Sequence, residues 1–372
     1  MEGSLKIFRI FGIDIKIHFS WWIVFFLLSW SLSTAFFPQF FPGYLVKTYW
    51  LMGVVSALLL FVSVLLHELS HSLVAKAKNI KVESITLFFF GGVAGITKED
   101  LKPSSEFMMA IAGPLFSLLL SGLFFVVYKF NGNVIWTGIT FYLYQINLML
   151  ALFNLVPGFP LDGGRALRAI LYAYFKDLKK ATYIAAMGGK FFGGFLFFLG
   201  MISLISGVGN ALWFIFLGGF LYFLAGMSYQ QVVIKETLSK IPLKQLITAV
   251  VSVSPELNFS DLIKKYTNSG EEVFLVGDDK FSGILDTRKI DKMQIQMQNM
   301  LKLKQLSVPL SKIKGLKIND NAYTAFSKFS ENGVNILPVY EKDKLLGFVT
   351  RDIIMHRLIW DLKFSGLKER KK

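Results

Sequence analysis

The residues best suited to chemistry in this chain are two histidines four positions apart with a glutamate beside the first: His67-Glu68-Leu69-Ser70-His71. On a helix, positions four apart share a face and lie roughly 6 Å apart along the axis. Two imidazoles so placed can hold one divalent metal, and Glu68 then stands where a base for activating a bound water belongs. H-E-x-x-H is a zinc-site pattern when it falls on a helix. The chain has 4 histidines in all, so chance adjacency of two core histidines is the weaker account. It has no cysteine, which removes disulfide frameworks and thiolate sites and leaves any metal to histidine and carboxylate.

The neighbourhood of the motif is unusual. Residues 51–66, just before it, contain no charge. Two histidines and a glutamate at the end of a lipid-embedded helix are costly unless they have partners. The whole chain is apolar: 372 residues, 53% hydrophobic, with a mean hydropathy of +0.52. That excludes an ordinary soluble domain and points to several membrane spans. The net charge of +15 reads as topological, because the basic residues are dispersed over loops rather than gathered in one stripe. No nucleic-acid partner is expected for the same reason. The N-terminus shows no cleavage pattern, so its first span is expected to be retained.

Six long apolar runs follow a loosely alternating segment, 1–18, which reads as a short strand or interfacial piece. They cover about 19–37, 49–75, 106–128, 134–156, 188–206 and 210–234, each near the roughly 20 residues that span hydrocarbon. Lys6, Arg9 and Lys16 precede the first run, and Lys47 alone follows it. Lys76, Lys78, Lys81, Lys98 and Lys102 follow the second, Lys129 the third, and Arg165, Arg168, Lys176, Lys179 and Lys180 the fourth. This alternation predicts a multi-pass cell-membrane protein with both termini cytoplasmic. His67 lies nine residues before Lys76, about 13 Å of helix, which puts the motif inside the bilayer in its cytoplasmic half.

Two further stretches fall on that same side. Residues 82–96 are rich in β-formers and break at Gly91-Gly92 and Gly95, which fits a small sheet or a re-entrant hairpin, or else an ordinary amphipathic hairpin on the surface. The fourth run ends in N-L-V-P-G-F-P-L-D-G-G-R, residues 154–165. A two-histidine zinc site needs a third ligand, and Asp162 is the obvious carboxylate; its other reading is as N-cap of an amphipathic helix over 163–182, and one residue could do both. Asn154 reads either as a substrate contact or as a structural hydrogen-bonding group. Ala112-Gly113-Pro114 is expected to open the third span and to allow close helix packing. His18 reads as an interfacial polar residue rather than a ligand.

From about residue 235 the composition turns polar, and two stretches repeat a helix–strand–turn–strand–helix pattern at a spacing of roughly 60–65 residues. This predicts a membrane domain over 1–235 and a soluble cytoplasmic α/β pair over 236–372, with repeats at about 240–295 and 305–362.

H-E-L-S-H on a membrane helix, N-L-V-P-G-F-P-L-D-G-G in a later span and a soluble tandem repeat together resemble the site-2 protease family of intramembrane zinc metalloproteases. The likeness is to members carrying cystathionine-β-synthase-type (CBS) domains. The fold it implies is a polytopic α-helical membrane protein of six transmembrane helices with a small membrane-associated β-sheet, followed by an α/β tandem CBS domain. It implies one Zn2+ per chain on His67, His71 and Asp162, with Glu68 as catalytic base. Asn154 matches the family's asparagine, and Phe90, Gly91 and Gly92 match a loop that meets substrate. In CBS modules a G-x-x-[ST]-x-D pattern holds adenine nucleotides, and Gly347, Thr350 and Asp352 fit it. Thr350 could equally cap the helix that follows. The first repeat departs from the pattern, with Asp286 and Arg288 where Thr and Asp would stand.

The resemblance implies regulated intramembrane proteolysis of a membrane-spanning protein, with the lipid bilayer as solvent, an adenine nucleotide as modulator and a homodimer formed through the CBS pair. A CBS-gated ion transporter is the alternative from another class, although the six spans show no repeated halves. A catalytically silent sensor is a third, disfavoured because ligands and base are all present.

Overall fold

The computed structural model describes residues 3–89, 91–96, 101–130, 132–207, 209, 211–248, 251–266, 272–278, 282–290, 301–342 and 344–369. The chain divides into two compact units, Met1–Val232 and Val233–Lys372.

The first unit opens with a hairpin, β1 (Ser4–Ile10) and β2 (Ile13–His18), closed by Phe11 and Gly12 at positive φ. Six helices among the described residues are long and apolar enough to cross a membrane. They are α1 (Ser20–Phe40), α2 (Val46–Ala77), α3 (Pro103–Phe130), α4 (Val134–Asn154), α6 (Leu178–Ile205) and α7 (Ala211–Ser239). Between α2 and α3 lie β3 (Val82–Phe88) and β4 (Gly91–Ile96); the short α5 (Asp162–Phe175) precedes α6. The strands form one sheet in the order β1-β2-β3-β4, with β2 and β3 parallel and the other pairs antiparallel. β4 is therefore an edge, and Leu87 pairs with Gly92. The sheet packs on the motif helix through Ile13, Ile15, Val82 and Ile85, which share a buried cluster with Leu69 and Ala75 of α2 and Met109 of α3.

Three boundaries differ from the sequence reading. The third span starts at Pro103, so Ala112-Gly113-Pro114 lies inside α3 and not at its opening. The amphipathic helix expected over 163–182 is two helices: α5 ends at Phe175, Lys176 is left-handed, and the Asp177 side chain accepts from Lys180 N to cap α6. Consequently the fifth span begins at Leu178 rather than near 188. Each difference has one cause: hydropathy marks the part of a helix that sits in lipid, whereas caps and turns decide where it starts.

The second unit holds two sheets. One is β5 (Val251–Val253), β6 (Val273–Gly277), β7 (Ser282–Asp286) and β8 (Val308–Pro309), in that order. The other is β11 (Lys344–Thr350), β10 (Ile336–Glu341) and β9 (Leu316–Lys317). Each has one parallel pair, β5 with β6 and β9 with β10, bridged by α8 (Phe259–Tyr266) and α10 (Ala322–Asn332) respectively. α9 (Leu303–Leu306) is a single turn and α11 (Arg351–Glu369) ends the described chain. The repeats exchange their leading segments. Leu243-Lys244-Gln245-Leu246 and Leu303-Lys304-Gln305-Leu306 have the same four residues. Leu243 and Leu246 are buried in the cluster with Leu316, Leu337 and Phe348, while Leu303 is buried with Phe259, Phe274 and Leu285. Thr248 and Phe348 exchange backbone hydrogen bonds of 2.9 and 3.1 Å, and Val308 pairs with Ile284.

Candidate metal centre

The charge-free run of α2 ends in the motif, so both histidines are carried on one helix face into a protein-covered position: His67 is 4% exposed and His71 5%. Each ring is oriented by its Nδ1. His67 Nδ1 lies 2.8 Å from Ser117 Oγ, and His71 Nδ1 donates to the Met109 carbonyl at 2.6 Å, both on α3. Tying Nδ1 leaves Nε2 as the ligand atom, the arrangement by which outer partners fix an imidazole's tautomer.

The third group arrives from far along the chain. Asp162 is the first residue of α5, whose N-cap is Leu161 and makes no side-chain cap bond. Asp162 is thus not the N-cap: its carboxylate turns to the rings instead. Asp162 Oδ2 lies 3.3 Å from His67 Nε2 and 3.1 Å from His71 Nε2, and the two Nε2 atoms are 3.2 Å apart. Ligands about 2.0 Å from a tetrahedral zinc are about 3.3 Å from one another, so three atoms at these separations fit three corners of such a site. Gly113 supplies a second test of fit. A side-chain carbon there would overlap His71 Nε2 and stand 2.6 Å from His67 Nε2, so its absence keeps the space at the ligand atoms clear. Among the described residues, these three form the group of His, Cys, Asp or Glu able to hold a metal ion. His18 is elsewhere engaged, its Nδ1 being 2.8 Å from Ser20 Oγ.

Glu68 lies against the start of β4. A side-chain carbon at Gly92 would meet Glu68 Cγ and stand 3.1 Å from Cδ and 3.4 Å from Oε1, so the bare backbone of an edge strand passes directly over the carboxylate. Gly91 has open space on its side and a φ of 121°. Phe90 lies outside the described residues. Asn154 is half-buried and its amide donates to Leu150 O at 2.9 Å, a bond within its own helix.

Residues 55–135 and 133–196 match the model of Peptidase family M50. The chain is 37% identical over 272 residues to sll0528 of Synechocystis sp., which is named as a zinc metalloprotease; the match covers 72% of this chain and 70% of that protein. The chain belongs to peptidase family M50. It is a site-2-protease-like metalloprotease and a multi-pass membrane protein. Rip3 of Mycobacterium tuberculosis, also named as a zinc metalloprotease, is 33% identical over 72% of this chain and 69% of its own length. The Site-2 Protease from Methanocaldococcus jannaschii aligns at 34% identity, covering 61% of this chain and 95% of that one, with a TM-score of 0.42. Residues 307–359 match the CBS domain, so this M50 protease carries a CBS unit after its spans. The transporter alternative falls with the family assignment.

In the CBS unit of this M50 protease, Gly347 is buried in β11 against the Thr248 carbonyl, 2.7 Å from where a side chain would begin. Thr350 Oγ1 accepts from Ile353 N at 3.3 Å and so caps α11. Asp352 is paired with Arg288, whose Nε also donates to Asp286 Oδ1 at 2.9 Å. Hydrogen bonding to Asp286, and then to Asp352, raises the pKa of Arg288 against the lowering effect of its partial burial.

Three contributors to the metal centre were invisible in the motif: Ser117, the Met109 carbonyl and Gly113; so was an ion pair between buried Glu106 and half-buried Arg168, which joins α3 to α5. The signal available for them was a small-residue stripe and an acidic residue at the start of an apolar run.

Proposed function

We propose that this M50 protease binds one zinc ion through His67, His71 and Asp162 and cleaves a membrane-spanning segment of a protein substrate in the cytoplasmic half of the bilayer. The observation that supports it best is the convergence of three oriented ligand atoms within 3.1–3.3 Å of one another. Zinc, when bound, supplies Lewis-acid polarisation of a carbonyl and lowers the pKa of a water. Glu68, next to His67 in sequence, would serve as the base, taking a proton from an attacking water and returning it to the leaving amine. β4, with Gly91 and Gly92, receives the unwound substrate as an added strand. Unpaired backbone groups are costly in lipid, and an edge strand satisfies them while aligning the scissile amide beside Glu68. The sheet would then lie at the membrane interface. Asn154 is retained as a substrate contact only if its amide leaves Leu150.

The membrane domain of the proposal is 1–235, with the N- and C-termini cytoplasmic, and 236–372 is a tandem CBS pair. An adenine nucleotide at Gly347, Thr350 and Asp352 would modulate the protease, and its ribose would displace Arg288 from Asp352. Homodimerisation through the CBS pair completes the reading.

The deciding experiment uses purified protein in detergent with a membrane-helix substrate. His67→Ala and Asp162→Ala bind zinc much more weakly, whereas Glu68→Gln keeps zinc and loses cleavage by at least about a hundredfold, the scale of general-base catalysis. Full zinc occupancy in either ligand variant, or near-normal turnover by Glu68→Gln, refutes the assignment.

A further inference from the structure

We infer that the pair between buried Glu106 and half-buried Arg168 is a positioning device for the third metal ligand, holding α5 against α3 so that Asp162 meets the two histidines. The inference rests on the reading of Asp162 as a ligand. Glu106 is 3% exposed, in the first turn of α3. Arg168, on α5 six residues after Asp162, donates from Nε to Glu106 Oε1 at 2.9 Å, and a second guanidinium nitrogen reaches the same oxygen. A buried carboxylate is costly unless paired, so this contact is obligatory once Glu106 is inside.

The placement of Glu106 gives the pair its meaning. Glu106, Ala110, Gly113 and Ser117 recur at helical spacing and are all buried, with Met109 beside them, so they form one stripe of α3. Ser117 orients His67, the Met109 carbonyl orients His71, and Gly113 clears the space at both Nε2 atoms. Glu106 is the fourth contact of the same stripe, and it grips the helix that begins with Asp162. One face of α3 thereby sets all three ligand groups. Arg168 also acts on the approach to Asp162: its guanidinium lies 5.1 Å from the centre of the Phe159 ring. Phe159 is 6% exposed and its N–H donates to Ala185 O at 3.1 Å, so the loop before Asp162 is held between Arg168 and α6.

An apolar pair of similar size would hold α3 and α5 together about as well; a charged fork on one carboxylate adds a single geometry. A ligand shell tolerates only about 0.5 Å of error. Arg168 and Glu106 are therefore positioning residues, acting through Asp162.

The test measures zinc affinity by chelator competition, with kcat and KM on a membrane-helix substrate, for the detergent-purified full chain. Variants are Glu106→Met with Arg168→Met, and Arg168→Lys, each also in an Asp162→Ala background. The double methionine variant is expected to unfold at a near-normal temperature, to bind zinc about 10- to 100-fold more weakly and to lose kcat with KM unchanged. Arg168→Lys keeps the charge without the fork and should fall between it and the parent. In the Asp162→Ala background, whose two histidines hold zinc more weakly, removing the pair should change affinity by less than about twofold. Parental zinc affinity and kcat in the folded double variant, or equal losses with and without Asp162, overturn the inference. If the double variant fails to fold, Arg168→Lys decides: parental zinc affinity and kcat in that variant overturn it too. Undiminished affinity in Asp162→Ala alone removes the ligand reading itself and is seen separately.

Discussion

Gly113 shows how closely the chemistry depends on a single residue. Both ligand nitrogens occupy the space a side chain at this position would need, so a methyl group there would overlap them. Neither ring can retreat, because each Nδ1 is fastened to α3, the helix that carries Gly113. Gly113→Ala is therefore expected to fold and to bind zinc at least about tenfold more weakly, the usual scale for disturbing the support of a ligand. Chelator competition measures this, and unchanged zinc retention would mean that the rings have room to shift. Asn147 of α4 makes a comparable point, one turn before the motif on α2. It is fully buried, and its amide donates to Leu143 O at 2.8 Å and to Ser63 Oγ at 3.3 Å, tying α4 to the motif helix.

At the scale of elements, β4 and α2 must be read together. β4 is an edge of the sheet, and Gly92, its second residue, lies against the Glu68 side chain. If a substrate strand adds there, bulk at position 92 both presses on the Glu68 side chain and keeps the substrate away from it, while the three ligand side chains are not among the atoms it meets. Gly92→Val should lower kcat/KM by about tenfold or more while zinc remains bound; turnover at the parental rate would remove β4 from substrate binding. α5 is the other element whose placement matters. Its separation from α6 by left-handed Lys176 and the Asp177 cap lets a 14-residue helix lie on α3 while α6 takes up the fifth span. A single helix over 163–182 could not do both.

At the scale of the molecule, the basic loops predict one orientation. A reporter fused after Lys78 or Lys180 should read as cytoplasmic and one after Lys47 as external. An external Lys180 would place the metal centre in the opposite half of the bilayer. Within the CBS unit, Arg288 and Asp352 occupy equivalent places in the two repeats and are paired with each other. On the proposed reading, a nucleotide ribose at Asp352 would compete with that pairing. Calorimetric titration of AMP and ATP into the full chain should therefore give tighter binding in Arg288→Ala and none in Asp352→Ala. Absence of heat in the parent and in Arg288→Ala would leave dimerisation as the account of the pair.

The sequence alone determined the class of chemistry and the class of fold. H-E-x-x-H in an apolar run, a later L-D-G-G, six runs long enough to span and a polar repeat are all local signals, legible because spacing on a helix and length in lipid are fixed by backbone geometry. The tertiary structure decided everything that depends on residues distant in the chain. It brought Asp162 to the rings from 91 and 95 positions away and gave its carboxylate to them rather than to the cap of α5. It turned Gly113 from a packing residue into the clearance at the ligand atoms, and it set Gly92 over Glu68. It also exchanged the leading segments of the CBS repeats and spent Asp352 on Arg288. None of these is legible in one sequence, because a side chain's partner across elements is fixed by packing and register, and neither leaves a periodic trace.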